Sequence, residues 1–262
     1  MMRSLWSAAS GMIGQQKNMD VVAHNLANVN TYGNKKVRAE FQDLLYQTLR
    51  DAGGVSGNGT EYPQGLQIGL GTRVAATHRV FTQGPLQTTD NPTDIGIQGE
   101  GFFQIQMPDG TTAYTRDGSF KLDSQRRLVT SDGYLLQPGI TINQNAALES
   151  IVISSDGHVS NTVNGTQTEV GQITMARFIN PEGLYSYGKN LFLETAASGA
   201  PIVSNPGENA MGVLTQGTLE MSGVQIVEEM VNMIVAQRAY ESNSKAITTS
   251  DSMLETANQL KR

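Results

Sequence analysis

The sequence predicts an α+β protein. Helices at the N- and C-termini pair as a coiled coil, a central antiparallel β domain lies between them, and a glycine-rich extended segment follows the first helix. Three observations carry this. Apolar residues recur every seven positions at both ends of the 262-residue chain. Short apolar runs alternate with Asp-Gly pairs in between. Residues 51–72, DAGGVSGNGTEYPQGLQIGLGT, hold seven glycines and few apolar anchors.

In chain order, the first 30 residues read as helix. Leu5, Met12, Met19 and Leu26 form a strict seven-residue series, and Ala8, Val22 and Val29 sit three positions after members of it. Alone, the glycine-rich segment predicts a loop or a long, weakly ordered hairpin; because a structureless loop of that length is unusual inside a compact domain, it is expected to be either a disordered tip or a piece that finds its partners elsewhere. The β domain is marked by Asp-Gly turns at Asp109, Asp117, Asp132 and Asp156. Strand-like pieces lie between them: Phe102–Met107, Ala113–Thr115, Ser119–Leu122, Leu128–Thr130 and Tyr134–Leu136. Gly171–Phe178 and Leu191–Glu194 extend the set. In the last 40 residues, Ile226, Met233, Tyr240, Ile247 and Leu254 repeat every seven, with Ala236, Asn243, Ser250 and Ala257 at the second seam position. Small residues there let a second helix come close. The expected division is 1–30 with 225–262, a connecting segment 31–75, and a β domain 76–224.

Chemistry is not legible. The histidines His24, His78 and His158 are scattered, and no H-E-x-x-H, P-loop or G-x-S-x-G pattern occurs. Gly96, Gly99 and Gly101 resemble a nucleotide loop only in reverse order, with no helical pattern after them. Asp90 and Asp94 read as turn formers rather than a glycosidase pair. The glycosylation-like triplets at Asn58 and Asn164 read as turns. There is no cysteine, so disulfides and thiolate metal sites are excluded. The net charge of −6 argues against nucleic acid. No cofactor or metal is expected, nor an enzyme. Ser and Gly break the apolar run after Arg3, so a cleaved signal peptide is not expected.

The distribution of charge points to assembly. Charged residues make up 16% of the chain, and residues 1–30 carry only Arg3, Lys17 and Asp20. The outer face of the first helix holds Ser4, Ser7, Ser10, Gln15, Gln16, Asn18, Asn25 and Asn28. Interfaces are depleted in charge, and amides are buried when hydrogen-bonded. The stretch AHNLANVNTYGNKK, Ala23–Lys36, is therefore expected to bury its amides against copies of the same chain, with Trp6 as an interface anchor or core residue. A head-to-tail contact that does not close gives a helical polymer.

Three segments then carry a resemblance. SAASGMIGQQKNMDVVAHNLANVNTYGNKK resembles the N-terminal signature of bacterial flagellar rod and hook proteins, and MVNMIVAQRAYESNSKAITTSDSMLETANQL resembles their C-terminal signature. IQGEGFFQIQMPDGTTAYTRDGSFKLDSQRRLVTSDGYLLQP resembles their shared β segment, with Arg126 where a turn glycine is common. The length, and EFQDLLYQTLRDAGG followed by Tyr62–Gly69, look like the distal-rod members.

The resemblance implies a structural subunit of a hollow helical shaft that transmits motor torque to the hook. Its terminal helices form an inner coiled-coil layer, its β domain forms an outer layer, and residues 51–73 reach adjacent subunits. Leu5, Met12, Met19 and Leu26 are expected to pack with Ile226, Met233, Tyr240, Ile247 and Leu254, while Gln237, Arg238 and Asn243 make polar contacts in the inner layer. The implied partners are further copies, adjacent rod and hook proteins, periplasmic and outer-membrane ring proteins, and the flagellar type III export apparatus. The implied place is the periplasmic rod of the basal body. The alternatives are another rod or hook subunit, a β-domain cell-wall enzyme with a carboxylate-lined cleft, or a coiled-coil surface adhesin.

Overall fold

A computed structural model describes residues 2–53, 63–143, 148–163 and 166–260. The middle of the glycine-rich segment, the triplet at Asn58 and most of that at Asn164 lie outside the described residues. The protein is α+β: two long helices and a set of antiparallel strands. It divides into two compact units, one of residues 1–26, 37–78 and 225–262, the other of 27–36 and 79–224.

The first unit contains α1 (Met2–Ala27), α2 (Ile226–Gln259) and four strands, β1 (Val37–Asp43), β2 (Tyr46–Arg50), β3 (Leu66–Gly69) and β4 (Thr72–Arg79, whose last residue falls in the second unit). β1 pairs with β4, and β2 pairs antiparallel with β3 from Tyr46↔Gly69 to Arg50↔Leu66. The Leu44 N–H donates to Gly71 O at 2.9 Å between the two pairs. The described ends of the glycine-rich stretch thus belong to a long two-stranded ribbon.

The helices touch at three levels. The Ser4 and Ser250 hydroxyls lie 3.4 Å apart. A Cβ on Gly11 would lie 2.8 Å from the Asn243 amide nitrogen. The Asn25 amide donates to Glu229 Oε2 at 3.3 Å. In each pair the residue numbers add to the same total, so α1 and α2 run antiparallel without a slip in register across these contacts.

In the second unit the strand Phe102–Gln106 is central: it pairs with Thr112–Thr115, Leu135–Leu136 and Met175–Arg177. Its alternation of faces (Phe102 one way, Phe103 and Ile105 the other, taking account of both faces being covered) explains why the run is apolar almost throughout. Phe103 and Ile105 enter the larger core with Ile95, Ile97, Phe120, Leu136 and Ile173. Phe102 enters a second cluster with Tyr114, Phe178 and Phe192, whose rings meet edge to face. Ile151–Ile153, His158–Val163 and Thr166–Gln172 form a separate three-stranded sheet.

The Asp-Gly pairs at Asp109, Asp132 and Asp156 make hairpin turns, with Gly110, Gly133 and Gly157 at φ near +83 to +85. The pair at Asp117 does not. Gly118 packs where an added Cβ would overlap Ile95 O, so its glycine serves a close backbone approach. Arg126 has φ +59, the left-handed conformation that a turn glycine normally takes. Asp94 accepts from the Thr89 hydroxyl and the Asn91 amide, a turn role and not half of a catalytic pair. A strand, Ile95–Gln98, and then another, Phe102–Gln106, hold the Gly96–Gly101 stretch, and no helix follows.

Candidate functional site

The candidate site is a surface, and α1 and α2 position most of it. On α1, Leu5, Met12, Met19 and Leu26 are half-buried, with Ala8 and Val22 buried. On α2, Met233, Asn243, Ile247 and Leu254 are half-buried, with Ala236 and Ser250 buried. Tyr240 and Ile226 are more exposed, the latter being the first residue of α2. Gln237 and Arg238 are exposed, and Arg238 pairs with Glu241 one turn on, at 3.1 Å.

A second set of residues was not legible in the heptads. Val227 is 76% exposed, and Met230, Val231, Ile234 and Val235 are all more than half exposed. The first three turns of α2 therefore show apolar side chains outward, while Glu229 is buried beside Asn25. That inverts the usual amphipathic arrangement. The run IVEEMVNMIV carried the signal: it has too many apolar residues for one stripe. Trp6, 72% exposed, and Ile13 add apolar surface on α1. On the ribbon, Leu45, Tyr46, Leu49, Leu66 and Ile68 are exposed.

The amide-rich end of α1 corrects an expectation. Its two buried amides, Asn25 and Asn34, are satisfied within the chain and do not need copies of it. Asn25 is 1% exposed; its amide donates to Val37 O at 2.8 Å and its oxygen accepts from Val37 N at 2.9 Å. It mimics a strand partner for β1. Asn34, also buried, donates to Asn28 O and the Ser222 hydroxyl. Short amides close this turn because they offer donor and acceptor without a charge to desolvate.

Sequence reasoning also missed a buried ionic cluster that fixes residues 33–36 in the β unit. Lys35 Nζ donates to Glu220 Oε1 at 2.6 Å and to Thr82 O at 2.9 Å. The Gly84 N–H donates to the same carboxylate oxygen, and the Gly33 N–H donates to Glu220 O. Arg116 Nη1 lies 3.6 Å from Glu220 Oε2, and its Nη2 donates to Gly99 O. Burial, and then the Arg116 charge, push Lys35 below the usual lysine range against the pull of Glu220. Burial likewise lowers Arg116. Only the fold brings Lys35, Arg116 and Glu220 together, so no spacing in the sequence announces them.

Among the described residues, no cluster of His, Cys, Asp and Glu is arranged to hold a metal, and no helix is long and apolar enough to cross a membrane. Three family models match. Residues 5–35 match "Flagella basal body rod protein", residues 96–161 "Flagellar hook protein FlgE/F/G D1 domain", and residues 215–260 "Flagellar basal body rod FlgEFG protein C-terminal". The flagellar basal-body rod protein FlgG of Borreliella burgdorferi is 57% identical over 264 residues, covering 100% of both chains. That of Caulobacter vibrioides is 50% identical over 99% of this chain and 100% of its own. The flagellar hook protein FlgE of Helicobacter pylori is 38% identical over 69% of this chain but only 25% of its own length. This family is structural, so the enzyme and adhesin readings have no support. With full-length identity to FlgG proteins and both terminal signatures in place, the chain belongs to the flagellar basal-body rod protein family and is a structural subunit of the flagellar rod.

Proposed function

We propose that this chain builds the distal rod, self-assembling into a hollow helical shaft that transmits torque to the hook. The observation that carries this is the outward apolar face at the start of α2. Each such side chain gains roughly 1.5–3 kcal/mol when fully buried, so a row of them favours packing against a neighbour. The heptad residues Leu5 to Leu26 and Met233 to Leu254 form an antiparallel coiled-coil pair inside each subunit, a reading supported by the three constant-register contacts. Ile226 and Tyr240 extend the seam toward neighbours, and Gln237, Arg238 and Asn243 make polar contacts in the inner layer.

The ribbon of β1–β4, with its glycine-rich middle, reaches adjacent subunits; its exposed Leu45, Tyr46 and Leu66 support that role. The β unit contributes the outer layer of a periplasmic rod that turns within ring proteins. Export proceeds through the flagellar type III apparatus.

The test replaces outward residues, whose side chains the subunit's own fold does not bury. Val231→Asp with Val235→Asp should leave the monomer's circular dichroism unchanged and abolish polymerisation. Met233→Asp, on the seam, should also block polymerisation while the β unit stays folded. Wild-type rods from the Val231/Val235 variant would sink the proposal. Deleting residues 51–73 tests the distal assignment, which fails if rod identity is unaffected.

A further inference from the structure

We infer that a cleft beside Arg116 receives a carboxylate side chain from a second copy of this chain. The inference rests on the self-assembly reading and adds a specific polar contact between β units.

The cleft has a volume of about 170 Å³ and is walled by Phe81, Phe102, Phe178 and Pro181, with Glu100 also lining it. Arg116 lines it, 4% exposed, with its guanidinium 5.7 Å from the centre of the Phe102 ring. Its Nη2 is occupied by Gly99 O, but among the described residues Nε and Nη1 make no hydrogen bond. A buried donor without an acceptor is costly, and more so when it carries charge. The neighbouring carboxylate does not meet this need. Glu220 Oε1 is committed to Lys35 and Gly84 N, and Oε2 is 3.6 Å from Nη1 without a hydrogen bond to it. The buried cluster thus holds Lys35 and Arg116 against Glu220, while Glu100, which also lines the cleft and attracts Arg116, is paired with Arg177. The missing group is an anionic acceptor. Aromatic walls lower the local dielectric and strengthen such a pairing.

The mouth of the cleft fits a protein partner. Ile179 on its rim is 80% exposed, and Arg177 stands beside it, paired with Glu100 at 3.0 Å. A desolvated cation inside an apolar rim is the arrangement of an interface centre. Charge complementarity points to another copy. The β unit, residues 27–36 and 79–224, has 14 Asp and Glu against 9 Lys and Arg, a net of −5 out of the chain's −6. A neighbouring β unit therefore presents mainly carboxylates.

The test uses the full chain, with benzoate as a carboxylate probe and rim variants that bury nothing. Benzoate should shift the Arg116 Nε–H resonance of the monomer saturably and raise the critical concentration for polymerisation. Ile179→Asp places a competing carboxylate at the mouth and should raise that concentration about tenfold or more, whereas Ile179→Lys should change it less than about threefold. Equal effects of the two variants, no effect of Ile179→Asp, or benzoate binding that leaves polymerisation untouched would each overturn the inference while self-assembly stands. Wild-type protein that does not polymerise at all would remove the self-assembly reading and this inference with it.

Discussion

Glu220→Gln keeps the shape of the side chain and removes the carboxylate bonded to Lys35. The Gly84 N–H retains an oxygen acceptor. Lys35, buried and 2.6 Å away, loses its counter-charge, and Arg116 loses its ion contact at 3.6 Å. Breaking a buried ion pair from one side costs about 3–5 kcal/mol. An independent bound agrees. Lys35 can escape by shedding its proton, and at pH 7 that costs a lysine of ordinary pKa 10.5 about 1.4 × 3.5, or about 5 kcal/mol. The expected loss is therefore about 3–5 kcal/mol.

The two units need not unfold together, so the loss is best read by hydrogen exchange at the amides of Phe102–Gln106, in the heart of the β unit. Lys35→Met combined with Glu220→Gln should recover part of the loss, because the variants share one interaction. A single-variant loss below about 1 kcal/mol would refute the claim that the cluster holds residues 33–36 in place, since that is the scale of an exposed pair.

Three further outcomes follow from the same geometry. Asn25→Ala removes both bonds to Val37 and the contact to Glu229 and should cost about 2–4 kcal/mol, measured by urea denaturation of the first unit; an effect under about 0.5 kcal/mol would sink the strand-mimic role. Lys35 has a folded pKa below its unfolded one, so the unfolded chain binds more protons, and stability relative to Lys35→Met should rise as pH climbs from the folded value toward 10.5; parallel thermal-melt profiles of the two proteins would contradict this. Gly11→Leu drives a side chain into Asn243 and should destabilise the helix pair by about 1–3 kcal/mol without changing exchange in the β unit; unaltered helix melting would place α2 elsewhere.

The sequence alone determined the element types and their order. Seven-residue spacing fixed two helices, and Asp-Gly pairs fixed three hairpins, because each signal is local: a repeat matches a helical turn, and a glycine permits a left-handed backbone. It also carried the family, whose signatures lie at the two ends and in Ile97–Pro138. Only the tertiary structure decided what each polar residue does. Asn25 and Asn34 looked like assembly contacts and instead close a turn within the chain. Asp117-Gly118 looked like a hairpin turn and is a close backbone approach to Ile95. Lys35, Arg116 and Glu220 lie far apart in sequence and meet only because strand pairing brings their segments together. Local signals report backbone preference over one or two turns. Burial, and the pairing it forces on polar groups, depends on contacts across the whole chain, which no spacing encodes.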